Sequence, residues 1–142
     1  MLQRSAQAAV LLGLHSSFAP LLAAPGERRF RVGACDWSIG KMADPAAFAV
    51  AKEIGLDGVQ VSLGTAADDM QLRQPERQHR YLAAAKESGV SVASLAIGEL
   101  NKIPYKRDPQ TTAWVSDCID VCQALGVRVV LLAFFGEGDL RD

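Results

Sequence analysis

The stretch Ala51-Lys52-Glu53-Ile54-Gly55-Leu56-Asp57-Gly58-Val59-Gln60-Val61-Ser62-Leu63 holds one complete hand-over from helix to strand. Gly55 stands where a helix closes on a left-handed residue. Only Leu56 and Asp57 separate it from the next extended run. In that run Val59, Val61 and Leu63 alternate with Gln60 and Ser62, the period of a strand with two unlike faces.

Outward from this stretch the same unit recurs: an apolar run, a polar loop, a helical stretch, a glycine. The runs are Phe30 to Cys35, Gly58 to Leu63, Val90 to Ile97 and Val127 to Phe134. Asp44-Pro45 and Asp108-Pro109 each put a side-chain oxygen at a helix N-cap and proline at the first helical position, where the missing N–H costs nothing. Gln74-Pro75 repeats the device with a weaker cap. Gly55, Gly89 and Gly126 close the three helices. Val115, Cys118, Ile119 and Cys122 fall at helical spacing and predict one apolar stripe laid on a sheet. The three cysteines, Cys35, Cys118 and Cys122, make no disulfide framework; the last two read as small core residues.

Strands alternating with helices predict parallel strands joined by right-handed crossovers. A doubly wound sheet and a closed barrel both satisfy this, and three features favour the barrel. Helix-to-strand connections are short, while Gly64 to Gln74 and Gly98 to Asp108 are long loops after strands, where a barrel keeps its working loops. Gln60 and Ser62 put polar side chains on a face that a doubly wound sheet would cover with helices. No G-x-G-x-x-G follows any strand; the segment from Gly33 to Gly40-Lys41 is too long for a phosphate loop, and Met42 stands where Ser or Thr should bind magnesium.

The expected fold is therefore α/β: an incomplete parallel (β/α) barrel of the TIM type, with about four strands and three helices over residues 30–142. A full barrel takes about 250 residues, and no fourth helix is read after Phe135. The chain is expected to be the first half of such a barrel, a truncated product, with a half barrel that assembles with itself or with a partner as the alternative.

Residues 1–26 differ from the rest: Arg4, an apolar run from Ala8 to Leu14, then Leu21-Leu22-Ala23-Ala24-Pro25-Gly26. A basic start, a short apolar stretch and small residues predict a leader, hence an exported or periplasmic protein. A disordered tail or a misassigned start is the alternative, and the protein is then cytoplasmic. The apolar run is too short to span a bilayer. With 15 basic and 16 acidic side chains and a net charge of −1, the chain lacks the clustered basic face of a nucleic-acid binder.

Several segments together carry a resemblance. Val32-Gly33-Ala34-Cys35-Asp36-Trp37-Ser38 resembles the opening strand and loop of xylose isomerase-like barrels, the sugar phosphate isomerase/epimerase family. Ala51 to Gln60 is similar to that family's passage from first helix to second strand. Ala93-Ser94-Leu95-Ala96-Ile97-Gly98 resembles its third strand, and Asp117 to Val127 its third helix running into the fourth strand. The likeness covers Arg31 to Phe135. It implies a metal-dependent isomerisation or epimerisation of a small carbohydrate, with a divalent ion (manganese, magnesium or zinc) polarising a carbonyl while carboxylates move the proton. In epimerase members the Glu, Asp, His, Glu ligands sit on later strands than the four read here. No catalytic residue and no metal ligand is therefore assigned, no metal is expected on this chain, and the chain alone is expected to be inactive. A zinc-dependent abasic-site endonuclease is a further reading on the same fold, but no histidine stands at a strand end: His79 falls within a helix and His15 in the leader.

In a barrel, the residues just after each strand line the pocket. These are Asp36, Trp37 and Ser38, then Ser62 and Gly64, then Glu99 and Asn101, then Phe134 and Phe135. The substrate-binding candidates are Asp36, Trp37, Ser62, Glu99, Asn101 and Phe134. Trp37 and Phe134 offer a sugar an apolar face, or else pack the barrel top. Glu99 binds a hydroxyl, or is solvated. Asp36 serves the site, or ends its strand by accepting from nearby backbone N–H groups. Tyr105, Lys106 and Arg107 form a phosphate-facing patch or a plain surface loop.

Overall fold

A computed structural model describes residues 30–141. The expected leader over residues 1–26 lies outside the described residues.

Four strands form one sheet: β1 (Gly33–Cys35), β2 (Gly58–Ser62), β3 (Ser91–Ile97) and β4 (Val130–Leu132). They lie side by side in the order β1-β2-β3-β4, and every pairing is parallel. Three helices connect them: α1 (Ala47–Ile54), α2 (Pro75–Ser88) and α3 (Pro109–Leu125). The strand order never reverses. A doubly wound sheet needs a reversal to bring helices to both faces, whereas successive right-handed crossovers in one direction put every helix on the same face. Accordingly α1 packs on α2, and α2 on α3. The architecture is α/β and compatible with one arc of a parallel barrel.

Local chemistry sets the start of α3 as expected, whereas Gln74 precedes α2 without a side-chain cap hydrogen bond and Ala46, not Asp44, directly precedes α1. Asp44 Oδ1 accepts from Ala46 N–H at 2.8 Å, and Asp108 Oδ1 from Gln110 N–H at 2.9 Å. Pro75 and Pro109 open their helices, while α1 proper begins at Ala47, after Asp44 and Pro45. Gly55, Gly89 and Gly126 end the helices at φ of 86°, 75° and 70°. Glycine takes that left-handed region without the Cβ penalty other residues meet.

The core lies between sheet and helices. Val59, Val61 and Leu63 from β2 and its end, with Leu95 and Ile97 from β3, are fully buried there. They meet Phe48 and Tyr81, whose rings pack edge to face at 6.2 Å, and Trp114 from α3. Each such side chain contributes about 1.5–3 kcal/mol by leaving water. Tyr81 brings its hydroxyl in with no hydrogen-bond partner among the described residues, and burial pushes its pKa upward.

The stripe on α3 differs from the expected one. Thr111, Trp114, Cys118, Val121, Cys122 and Leu125 are its buried positions, and Ile119 is 59% exposed. At about 100° per residue, Ile119 stands a quarter turn from Cys118, beyond the buried arc centred between Cys118 and Leu125. Both cysteines are core residues, and burial raises both thiol pKa values. The edge strands are shorter than the apolar runs suggested, because among the described residues β1 and β4 each have a partner on one side only. No helix among the described residues is long and apolar enough to cross a membrane.

Candidate functional site at the strand ends

Period two along each strand sends alternate side chains to the face away from the helices. On that face Cys35, Gln60 and Ser94 stand in one row across three strands. They form a chain: Cys35 Sγ donates to Gln60 Oε1 at 3.1 Å, and Gln60 Nε2 donates to Ser94 Oγ at 2.8 Å. Burial, with the charge of Asp36 adding to it, keeps the Cys35 thiol above its ordinary pKa despite a hydrogen bond with Ser38. It is a poor nucleophile at neutral pH. One row nearer the carboxyl ends come Ser62, Ala96 and Leu131.

Asp36 ends β1 and is fully buried. Its Oδ2 accepts from Ser62 N–H at 2.8 Å and from Ala43 N–H at 3.1 Å, and its Oδ1 accepts from the Ser62 hydroxyl at 2.7 Å. The carboxylate thus bolts the end of β1 to the end of β2 and to the loop before α1. Of the two roles open to it from sequence, the geometry gives it the one of ending its strand, and it does not line the cleft described next.

Above Ser62 opens a cleft of about 460 Å³. Trp37 and Met42 come from the segment after β1, Gly98, Glu99, Asn101 and Lys102 from the turn after β3, and Leu131, Ala133 and Phe135 from β4 and its loop. Four of the six residues singled out from sequence gather here: Trp37, Ser62, Glu99 and Asn101. Glu99 is 9% exposed, and no donor among the described residues reaches its carboxylate. Ser62 Oγ is spent as a donor to Asp36 but keeps acceptor capacity. Asn101 Oδ1 is engaged by the Phe135 N–H at 3.1 Å.

Phe134 is elsewhere. Its ring packs on Tyr105 at 5.8 Å, against the helix-side core, and Phe135 takes the place in the cleft wall. The alternation along the chain is the reason. Leu131, Ala133 and Phe135 share the cleft face, while Val130, Leu132 and Phe134 face the core. The sequence carried this signal, since the period continues past the end of β4. Lys102 and Met42 had no such signal, because neither follows a strand directly.

Tyr105 is half-buried in the core, so Tyr105, Lys106 and Arg107 do not form one outward patch. His79 is exposed on α2. Among the described residues no three His, Cys, Asp or Glu side chains gather as metal donors. A larger groove, about 550 Å³, runs between α1 and α2 along Ala49, Ala83 and Ala84 with Lys52, Arg80 and Glu87 at its sides. It lies on the outer surface of the helix layer and has no buried polar group, so the strand-end cleft is the better site.

No family model matches the chain. The chain is similar to 2-epi-5-epi-valiolone 7-phosphate 2-epimerase of an Actinoplanes species, with 28% identity over 113 residues, covering 79% of this chain and 42% of that protein. The chain thus spans about two-fifths of the length of that relative.

Proposed function

We propose that the strand-end cleft is the carbohydrate-binding part of a sugar phosphate isomerase or epimerase. One observation carries the reading: Glu99, a residue only 9% exposed whose carboxylate has no protein donor among the described residues and opens to solvent, lines the same cleft as the exposed rings of Trp37 and Phe135. A carboxylate accepts from vicinal hydroxyls, and aromatic faces receive the C–H face of a sugar ring. Lys102 at the rim adds a cation suited to a phosphate. The similarity to a 2-epi-5-epi-valiolone 7-phosphate 2-epimerase points the same way.

A divalent ion does not fit these residues. The cleft offers one carboxylate and an amide oxygen already engaged, against the several oxygen or nitrogen ligands such an ion needs. The metal-dependent chemistry of the family would need residues beyond this cleft. The cleft's own groups bind and orient: Glu99 takes hydroxyls, Trp37 and Phe135 exclude water from one ring face, and Asp36 holds the floor at Ser62.

The test is titration of the 142-residue chain with D-fructose and D-fructose 6-phosphate, followed by tryptophan fluorescence. Trp37 lines the cleft, while Trp114 is 1% exposed and serves as an internal reference. Saturable binding that is weakened by Glu99→Gln and by Trp37→Ala, and untouched by Lys52→Ala in the outer groove, is the expected result. Absence of saturable binding to either probe refutes the reading.

A second reading draws on the sheet edges. Among the described residues β1 and β4 each pair on one side only, and unpaired parallel edges invite a further strand. In this reading the half-sheet is completed by a second copy of the chain or by the other half of a barrel. Light scattering across a concentration series tests the first version: a dimer supports it and a monomer at high concentration removes it.

A further inference from the structure

The loop after β4 lies flat on the turn after β3. Asn101 Oδ1 accepts from the Phe135 N–H, a contact spanning 34 positions of sequence. Gly138 lies so close to the Leu100 backbone that a Cβ added to it would stand 1.7 Å from the Leu100 carbonyl oxygen. Gly136, in the left-handed region at φ 56°, faces the carbonyl of Asn101. Two glycines thus let backbone rest on backbone, and one side chain fixes the register. Phe135 itself is 64% exposed, so its ring has little packing of its own to hold it in the cleft wall.

We propose that Asn101 is a positioning residue: it latches the loop after β4 and thereby sets Phe135 as the wall that selects among ligands, with no contact of its own to the ligand. The selective role rests on the carbohydrate reading given above. The latch does not.

Amide hydrogen exchange at Phe135, measured by NMR on the 142-residue chain, reads the latch directly. Asn101→Leu removes the acceptor and should speed exchange about fivefold, the loss of one ordinary hydrogen bond. Asn101→Asp keeps the acceptor and should exchange as the parent does. Gly138→Ala, which leaves Asn101 in place, should release the loop as Asn101→Leu does. With D-fructose as an uncharged probe, affinity should fall at least threefold in Asn101→Leu and Gly138→Ala and hold in Asn101→Asp. Unchanged exchange in Asn101→Leu overturns the latch. An equal loss of affinity in the Leu and Asp variants overturns the positioning role, because it means that the carboxamide touches the ligand. If the parent binds no D-fructose, the carbohydrate reading suffers, and the exchange comparison alone decides the latch.

Discussion

Replacing Asp36 tests how the strand ends are held. Asp36→Ala removes the acceptor for three donors: the Ser62 N–H, the Ser62 hydroxyl and the Ala43 N–H. Ser62 is 2% exposed, so its two donors have no ready access to water. Each buried donor left unmet costs about 1–3 kcal/mol. The lost carboxylate returns its own desolvation cost, which sets the net near the lower end, about 3 kcal/mol. Asp36→Asn is different. Its carbonyl oxygen in the place of Oδ2 keeps both backbone donors satisfied. Its NH₂ then faces Ser62 Oγ, which rotates from donor to acceptor, and the cost falls to about 1 kcal/mol. Urea unfolding followed by tryptophan fluorescence separates the two variants. With a slope of about 1.5 kcal/mol/M, the midpoint should drop by about 2 M for Ala and by less than about 1 M for Asn. An Ala variant within about 1 kcal/mol of the parent would refute the bolt. An Asn variant as damaged as Ala would show that the negative charge itself, and not the acceptor pattern, is required.

Three further predictions follow from packing and ionisation. Val121→Ala on α3 should cost about 2 kcal/mol by leaving a cavity, while Ile119→Ser, at 59% exposure, should stay within about 0.5 kcal/mol; equal effects in urea unfolding would restore the stripe expected from spacing. Gly64→Ala should lower the melting temperature by about 10 °C, because φ is +137° and the new Cβ would lie 2.7 Å from both Met70 Cα and Gln71 N; a neutral result by calorimetry would mean that the loop after β2 yields freely. Burial raises the pKa of Cys118, Cys122 and Tyr81, so the stabilisation from keeping them neutral is complete below their ordinary values, which for the thiols is 9.0, and is lost as pH climbs from there towards the folded-state values. Melting temperature should therefore fall from about pH 9 upward, and a flat profile to pH about 10.5 would contradict the burial.

The chain's own order of residues determined the parallel α/β plan. The helices announce themselves within a few positions, through Asp44 and Asp108 ahead of two of them, a proline at or just before each start, and a glycine after each last residue. The two faces of β2 are written in Val59-Gln60-Val61-Ser62-Leu63. These are short-range signals, set by backbone geometry that neighbouring residues share, so sequence suffices to read them. Which polar group works on the structure and which is free to meet a ligand was decided by tertiary contacts. Asp36 spends its carboxylate on residues 7 and 26 positions away, and Asn101 spends its oxygen on Phe135, 34 positions on. Glu99 remains without a donor among the described residues. Hydrogen-bond capacity is used up by whatever the folded chain brings within about 3 Å, and no local pattern records what that will be.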